Sequence, residues 1–112
     1  MAYDEQLAER VRSALKHARQ LEEKKMMGGL TFMVDGKMCL GVIKDDLMAR
    51  IDPAAYAAAL KKKACREMTF TGRPLKGFVV VGPEGTRITK DFNYWVELAL
   101  DFNPRAKASK RK

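Results

Sequence analysis

The pair Asp35-Gly36, set between two β-prone runs, constrains the fold of this chain more than any other feature of the sequence. Both central residues of a type I′ turn take a positive φ, which aspartate and glycine tolerate, so the pair is a strong hairpin signal. Leu30 to Val34 alternates before the pair, and Lys37 to Ile43 supplies a partner strand after it. The sequence therefore predicts a tight antiparallel hairpin with Gly36 at positive φ.

The hairpin is predicted to extend into a three-stranded meander. Lys44-Asp45-Asp46 is a second turn signal, and Leu47, Ala49 and Ile51 then alternate as a third strand. Gly28-Gly29 precedes the first strand. A phosphate-binding loop needs a strand before its glycines and a helix after them, whereas here a strand follows. We therefore interpret Gly28-Gly29 as a turn or bulge that leads the chain into the sheet.

Three helices are predicted around this sheet. Residues 4–21 place apolar side chains at helical spacing behind an N-capping aspartate. Asp52-Pro53 is a helix start, and the sequence AAYAAALKKK that follows has high helix propensity. The last helix begins near Thr89 and stops before Pro104, and we expect its Trp95 to be buried between helix and sheet.

Two further strands are predicted after the second helix, at residues 66–70 and 78–81. Residues 71–77, TGRPLKG, are predicted to be a loop because of their glycine and proline content. The element order is then α-β-β-β-α-β-β-α. This order predicts an α+β fold in two layers, with helices packed on an antiparallel or mixed sheet.

The net charge of +8 is concentrated at one end of the chain. Five of the 22 Lys and Arg residues lie in the last eight positions with no acid among them, which leaves 17 basic against 14 acidic residues elsewhere. That segment has no apolar residue larger than alanine, so we expect residues 1–104 to form the domain and residues 105–112 a disordered basic tail. The candidate nucleic-acid contacts in the tail are Arg105, Lys107, Lys110, Arg111 and Lys112.

A second candidate anion or nucleic-acid contact is the predicted loop at 71–77. Arg73 and Lys76 flank a rigid proline there, and loops on a rigid scaffold often carry function. The loop lacks an aromatic residue between its charges on which a base would stack. Lys61-Lys62-Lys63 is interpreted differently, as the end of the second helix, where cations are favourable.

The sequence offers no catalytic or metal-binding constellation. His17 is the single histidine, and no Cys, Asp or Glu lies within one helical turn of it, whereas metal sites need several converging ligands. Cys39 and Cys65 are interpreted as free thiols, and no pattern places His17 beside either of them as a catalytic pair. We therefore predict no catalytic residue, no metal and no cofactor.

Most of the seven methionines fall in or beside predicted strands, and they have two interpretations. Strand alternation favours adaptable side chains that fill a core. The alternative is a soft apolar groove that binds a peptide or a partner helix. The methionines concerned are Met26, Met27, Met33, Met38, Met48 and Met68.

Four segments together resemble the N-terminal domain of the TfoX/Sxy family, namely EEKKMMGGLTFMVDGKMCLGV, DDLMARIDPAAY, FTGRPLKGFVVV and WVELALDF. The resemblance covers residues 3–102 and departs from the family at Met27, where members usually carry phenylalanine. It implies a two-layer fold similar to secretion chaperones, in the element order given above. Full-length members include regulators of natural competence that act with transcription factors and carry a second, helical domain. We expect a stand-alone N-terminal domain here.

The expected function is that of a small non-enzymatic cytoplasmic protein, an interaction or regulatory module. The alternative is a nucleic-acid-binding protein that uses the basic tail and the Arg73–Lys76 loop. We expect a protein partner, no membrane association, and a monomer or a weak homodimer. The cytoplasmic assignment rests on the two free cysteines, on an N-terminus unlike a secretory signal, and on the lack of a long apolar run.

Overall fold

The computed structural model describes residues 3–18, 20–26, 28–70 and 73–105, with the backbone alone at residues 26, 69–70 and 73–76. Short 3-10 turns at Pro53–Ala55, Pro83–Gly85 and Asn103–Arg105 flank the later helices. The longer elements, in chain order, are α1 (Glu5–Ala14), β1 (Glu22–Met26), β2 (Gly29–Val34), β3 (Lys37–Ile43), β4 (Asp46–Arg50), α2 (Tyr56–Ala59), β5 (Cys65–Phe70), β6 (Arg73–Val81) and α3 (Thr89–Phe102).

The strands of the described chain form one antiparallel sheet of six, in the order β1-β2-β3-β4-β6-β5. Side chains from α1, α2 and α3 pack together on one face of this sheet and enclose the main core. The predicted α+β class is confirmed, and the predicted elements follow one another in the predicted order. β1 is an additional strand at one edge.

The predicted hairpin is confirmed at β2 and β3. Asp35 and Gly36 connect the two strands with φ values of 55° and 75°, so both take the positive φ of a type I′ turn. β4 then follows β3 through a second tight turn, in which Lys44 has a φ of 54°. The three-stranded meander is therefore present as predicted, and it forms the middle of the sheet.

β1 has no counterpart among the predicted strands. Its sequence, EEKKM, carries charges at four successive positions, and Glu22 to Lys25 are all exposed. β1 pairs with β2 alone, and charged residues on such an edge strand prevent it from pairing with other chains. Because both faces of β1 are exposed at residues 22–25, its sequence lacks the alternation of apolar and polar residues that indicates a strand.

An ion pair joins α1 to this edge strand. The Arg12 guanidinium donates to both carboxylate oxygens of Glu23, over 2.5 Å from Nε and 2.8 Å from Nη2, and it also donates to Glu9 over 2.6 Å. The hydrogen bond from Arg12 lowers the pKa of Glu23. The bidentate geometry fixes where the edge strand lies relative to the helix.

α1 is shorter than the helix predicted at residues 4–21. Asp4 is its N-cap as predicted, since its side chain accepts from the N–H groups of Gln6 and Leu7 over 2.9 and 3.2 Å. The helix ends at Ala14, and turns follow it before Gln20 takes a φ of 48°. Because α1 ends at Ala14, the residues after it can connect the helix to β1, an edge strand that was not among the predicted strands.

α2 is also shorter than predicted. Asp52 caps the preceding 3-10 turn by accepting from the Ala54 N–H over 2.9 Å, so the predicted start is confirmed. The helix nevertheless ends at Ala59, and the interpretation of Lys61-Lys62-Lys63 as its last turn is wrong. Turns occupy residues 60–64, and Ala64 adopts a φ of 64°, because the chain must reverse there to enter β5.

The predicted loop at residues 71–77 is wrong from Arg73 onward, because Arg73–Val81 is one strand, β6, paired with β5. β4 contacts β6 only along Phe78 to Val81, so the first part of β6 pairs on one side. Proline is tolerated in a strand that lacks a neighbour on one side, which explains Pro74. Gly77 takes a φ of 87° and accepts from the Ile51 N–H over 2.7 Å.

α3 runs from Thr89 to Phe102 as predicted, and its apolar side faces the sheet. Trp95 is 2% exposed, so the expectation that it is buried between helix and sheet is confirmed. Fully buried members of the same core include Val11 of α1, Leu15 just after it, Phe32, Leu40, Leu47 and Val79 of the sheet, and Ile51.

Candidate functional site

The residues predicted to contact nucleic acid lie mostly outside the described part of the chain. Lys107, Lys110, Arg111 and Lys112 fall beyond residue 105. Arg73 and Lys76 belong to β6 by their backbone, in a strand rather than the expected loop, and their side chains are outside the described ones. Their role in binding anions therefore stays a prediction.

Arg105 is the predicted contact residue that the structure does describe. It ends the 3-10 turn Asn103–Arg105, and its Nη2 lies 3.0 Å from Asp52 Oδ2 and 3.3 Å from Asp101 Oδ2. The pKa of Asp52 is lowered, chiefly by the hydrogen bond from the Ala54 N–H and further by Arg105. Arg105 thus pairs with two carboxylates of the folded domain. Only the pairing with Asp101, four residues before Arg105 in the chain, could be predicted from sequence spacing.

The thiols and the histidine do not form a reactive group. Burial raises the pKa of Cys39 to about 12 and that of Cys65 to about 11, which disfavours the thiolate that acts as a nucleophile. His17 is exposed in the turns after α1. Among the described residues, no three His, Cys, Asp or Glu side chains are grouped so that they would hold a metal ion.

Methionines form a second cluster on the face of the sheet opposite the helices. Met33, Met38, Met48 and Met68 are all buried there, and Ile43, Phe78 and Val80 pack against them. Met48 is fully buried, and the Thr31 hydroxyl is buried nearby in the sheet without a hydrogen-bond partner among the described residues. Their burial supports the core interpretation over the groove for these four, and the side chains of Met26 and Met27 lie outside the described ones.

A basic concavity, which we call the lysine pocket, lies where the turn after α2 meets α3. It has a volume of about 400 Å³. Its lining consists of Lys61, Lys62, Lys63, Gly85, Lys90, Asp91, Tyr94 and Trp95. Four lysines and one aspartate therefore line a single depression.

Two aromatic residues form one wall of the lysine pocket. Tyr94 is 36% exposed, and the Lys62 ammonium lies 4.4 Å from the centre of its ring, in a cation–π contact. The Tyr94 and Trp95 rings meet edge to face with centroids 4.9 Å apart. Sequence reasoning missed this pocket because the fold brings Lys90 beside three lysines that lie far from it along the chain.

A comparison with protein-family models matches residues 4–103 of the 112 to the TfoX N-terminal domain. The match spans α1 to α3. The chain belongs to the TfoX N-terminal domain family. No curated protein and no solved structure matches the chain.

The segments that carry the TfoX resemblance are structural. One of them contains the β2–β3 hairpin, another contains β6, and WVELALDF is the C-terminal part of α3, which carries the buried Trp95, Val96 and Ala99. Gly28 takes a φ of 76° in the turn before β2, and a Cβ at Gly29 would lie 2.2 Å from the Val42 carbonyl oxygen. These two glycines shape the turn and the strand contact, as predicted, and the pocket lysines lie outside all four segments.

None of the helices in the described part of the chain is both long enough and apolar enough to cross a lipid bilayer.

Proposed function

We propose that the chain is a non-enzymatic regulatory module of the competence-regulator type that acts by binding a partner protein. The observation that carries this proposal is the family match, which spans residues 4–103. The resemblance to this family implies such a role, because its full-length members include regulators that act with transcription factors. The regulatory role comes from the family, since a fold by itself does not confer a function.

The chemistry of the described side chains supports the non-enzymatic part of the proposal. The two thiols have raised pKa values, so neither is activated as a nucleophile at neutral pH. The conspicuous glycines at residues 28 and 29 serve the sheet rather than a phosphate loop. Charged side chains, among them the lysines of the pocket, lie exposed at the surface, which suits recognition of a partner.

Deletion of the coding sequence in the source organism tests the regulatory role. Transcripts of DNA-uptake genes and the transformation frequency should fall, and the wild-type chain should restore both. The variant Trp95→Phe, which keeps an aromatic core side chain, should also restore them, whereas Trp95→Ala should not. Unchanged transcripts and unchanged transformation in the deletion strain would refute the proposal.

The second candidate function is sequence-independent nucleic-acid binding through the tail and the Arg73–Lys76 segment. The concentration of positive charge in residues 105–112 favours it. Because Arg105 pairs with two carboxylates, four tail charges remain. These four charges alone would contribute about −3.6 to the log–log salt slope on duplex DNA, at roughly −0.9 per phosphate contact.

Salt titrations of labelled duplex DNA test this candidate. The full-length chain and a truncation after Arg105, which keeps the two ion pairs of that residue, should differ strongly in affinity while their unfolding temperatures agree. Equal affinities would exclude the tail and leave Arg73 and Lys76 as the contacts. Absence of binding by both forms at low salt would exclude the nucleic-acid function.

A further inference from the structure

The lysine pocket concentrates positive charge without neutralising it. None of Lys61, Lys62, Lys63 and Lys90 forms an ion pair with a described carboxylate, although other cations of the domain, such as Arg12 and Arg105, do so. The one acidic residue of the lining is Asp91. Like charges gathered around one depression repel each other, and an anion bound among them would remove that repulsion.

The backbone that presents the lysines is held in place from both sides. The Lys61 and Lys62 N–H groups donate to Ala58 and Ala59 over 3.2 and 3.0 Å, and the Lys62 carbonyl accepts from Cys65 over 3.2 Å. These hydrogen bonds engage the backbone groups of Lys61 and Lys62 and hold the turn in one conformation. The side chains therefore project from a defined turn, which lowers the entropy cost of ordering them on a ligand.

The turn before α3 is packed directly against this lysine turn. The Gly82 N–H donates to the Ala64 carbonyl over 2.9 Å. A Cβ at Gly85 would lie 2.8 Å from the Lys63 carbonyl oxygen and 2.4 Å from Val81 Cγ1, so the close approach depends on glycine at that position. This contact sets where Lys90 stands relative to the three lysines of the turn.

The charge and shape of the pocket identify the class of ligand. Lysine ammonium groups are compact point charges that bind phosphate without demanding a bidentate geometry. A concavity of about 400 Å³ has the size of a small-molecule site. Several cations around one such space suit an anion that spreads its charge over linked phosphates, rather than a single phosphate or a carboxylate.

We propose that the lysine pocket, formed by the turn after α2 and the first turns of α3, binds a small molecule that carries at least two linked phosphates. Lys61, Lys63 and Lys90 contact the phosphates, and Lys62 stays over the Tyr94 ring at the rim. The proposal goes beyond the regulatory function and does not depend on it. A binding measurement on the purified chain therefore separates the two.

The test titrates the full chain with sodium tripolyphosphate, with ATP and with AMP. Trp95, the single tryptophan, lines the pocket and reports binding by its fluorescence, and calorimetry measures the same equilibrium independently. We expect saturable binding of tripolyphosphate and ATP, and AMP should bind at least about tenfold more weakly. If tripolyphosphate binds and ATP does not, the ligand is an inorganic polyphosphate.

Charge-matched variants decide where the ligand binds. The double variant Lys61→Gln/Lys90→Gln removes two exposed pocket cations, and Lys24→Gln/Lys25→Gln removes two exposed cations from β1 at the far edge of the sheet. The dissociation constant for tripolyphosphate should rise about tenfold or more in the first variant and change little in the second. Both should unfold at the wild-type temperature.

Three results would overturn the proposal. The first is that neither tripolyphosphate nor ATP shows saturable binding at low salt. Another is an equal loss of affinity in the two double variants, which would indicate attraction by net charge alone. The third is binding of duplex DNA, sensitive to the pocket variant, without binding of tripolyphosphate or ATP, which would assign the lysines to a nucleic-acid surface.

Discussion

Replacing Trp95 with alanine is expected to lower the free energy of unfolding by about 3–5 kcal/mol. Trp95 is 2% exposed and belongs to the core that α3 forms with the sheet, where Leu47 and Val81 are also buried. Trp95 has the largest volume among the fully buried side chains of the described residues, so its truncation removes much buried apolar surface and leaves a cavity. Domains of this size have total stabilities of about 5–15 kcal/mol, so the variant would be near the limit of folding.

Thermal and urea unfolding, followed by circular dichroism, measure this effect. Trp95→Phe is the matched control, because it keeps an aromatic ring in the same space and should cost much less. Both variants leave the lysines of the pocket in place, so a fall in stability confined to the alanine variant reports packing. A Trp95→Ala protein that unfolds within a degree or two of the wild type would contradict a core centred on this side chain.

Local chemistry explains which parts of the fold were predictable. Asp35 and Gly36 specify a turn by their own conformational freedom, and Asp4 and Asp52 cap helical turns by accepting from nearby N–H groups. Trp95 lies on the face of α3 that also carries Phe92, Val96 and Ala99, so the helical spacing of apolar residues predicts its burial. Each of these features depends on residues within a few positions of one another, so the sequence displays them directly.

The features that were not predicted depend on residues that are distant in the sequence. β1 is a strand because β2 offers it an edge, and its own residues are charged and exposed. β6 begins at Arg73 rather than Phe78 because β5 pairs with the earlier residues, where no strand lies on the other side. Propensity does not report a partner strand, and tertiary pairing overrides the glycine and proline signals there.

The candidate site was hidden for the same reason. Lys61-Lys62-Lys63 has a sufficient local explanation as the end of a helix, and that explanation fails only because α2 ends at Ala59. Lys90 then joins these lysines through the approach of Gly85 to the turn that carries them. A pocket made by two segments that are brought together by the sheet has no signature in either segment alone.

Replacing Met48 with alanine is expected to cost about 2–5 kcal/mol, the second large effect. Met48 is fully buried at the centre of the methionine cluster, with Gly41 opposite it on β3 and Val80 opposite it on β6. Glycine has no side chain to move into the space that the thioether leaves. A docking groove with an exposed methionine would lose far less on the same substitution, so the measured cost distinguishes the two interpretations of the cluster.

A double-mutant cycle with Gly41 makes this test specific. A Cβ at position 41 would lie 2.4 Å from Met48 Cε and 3.3 Å from the Leu30 carbonyl oxygen, so Gly41→Ala should cost about 1–3 kcal/mol, because a fully buried methionine has little room to yield. In the Met48→Ala background the first contact is gone and the added methyl group enters the void. The double variant should therefore be more stable than the sum of the two single losses predicts, by about 0.5–3 kcal/mol.

Met48→Leu conserves volume and should cost less than about 1.5 kcal/mol, which controls for the loss of sulfur. Strictly additive losses in urea unfolding would show that Met48 does not fill the space over Gly41, and the cluster would then not be a second core.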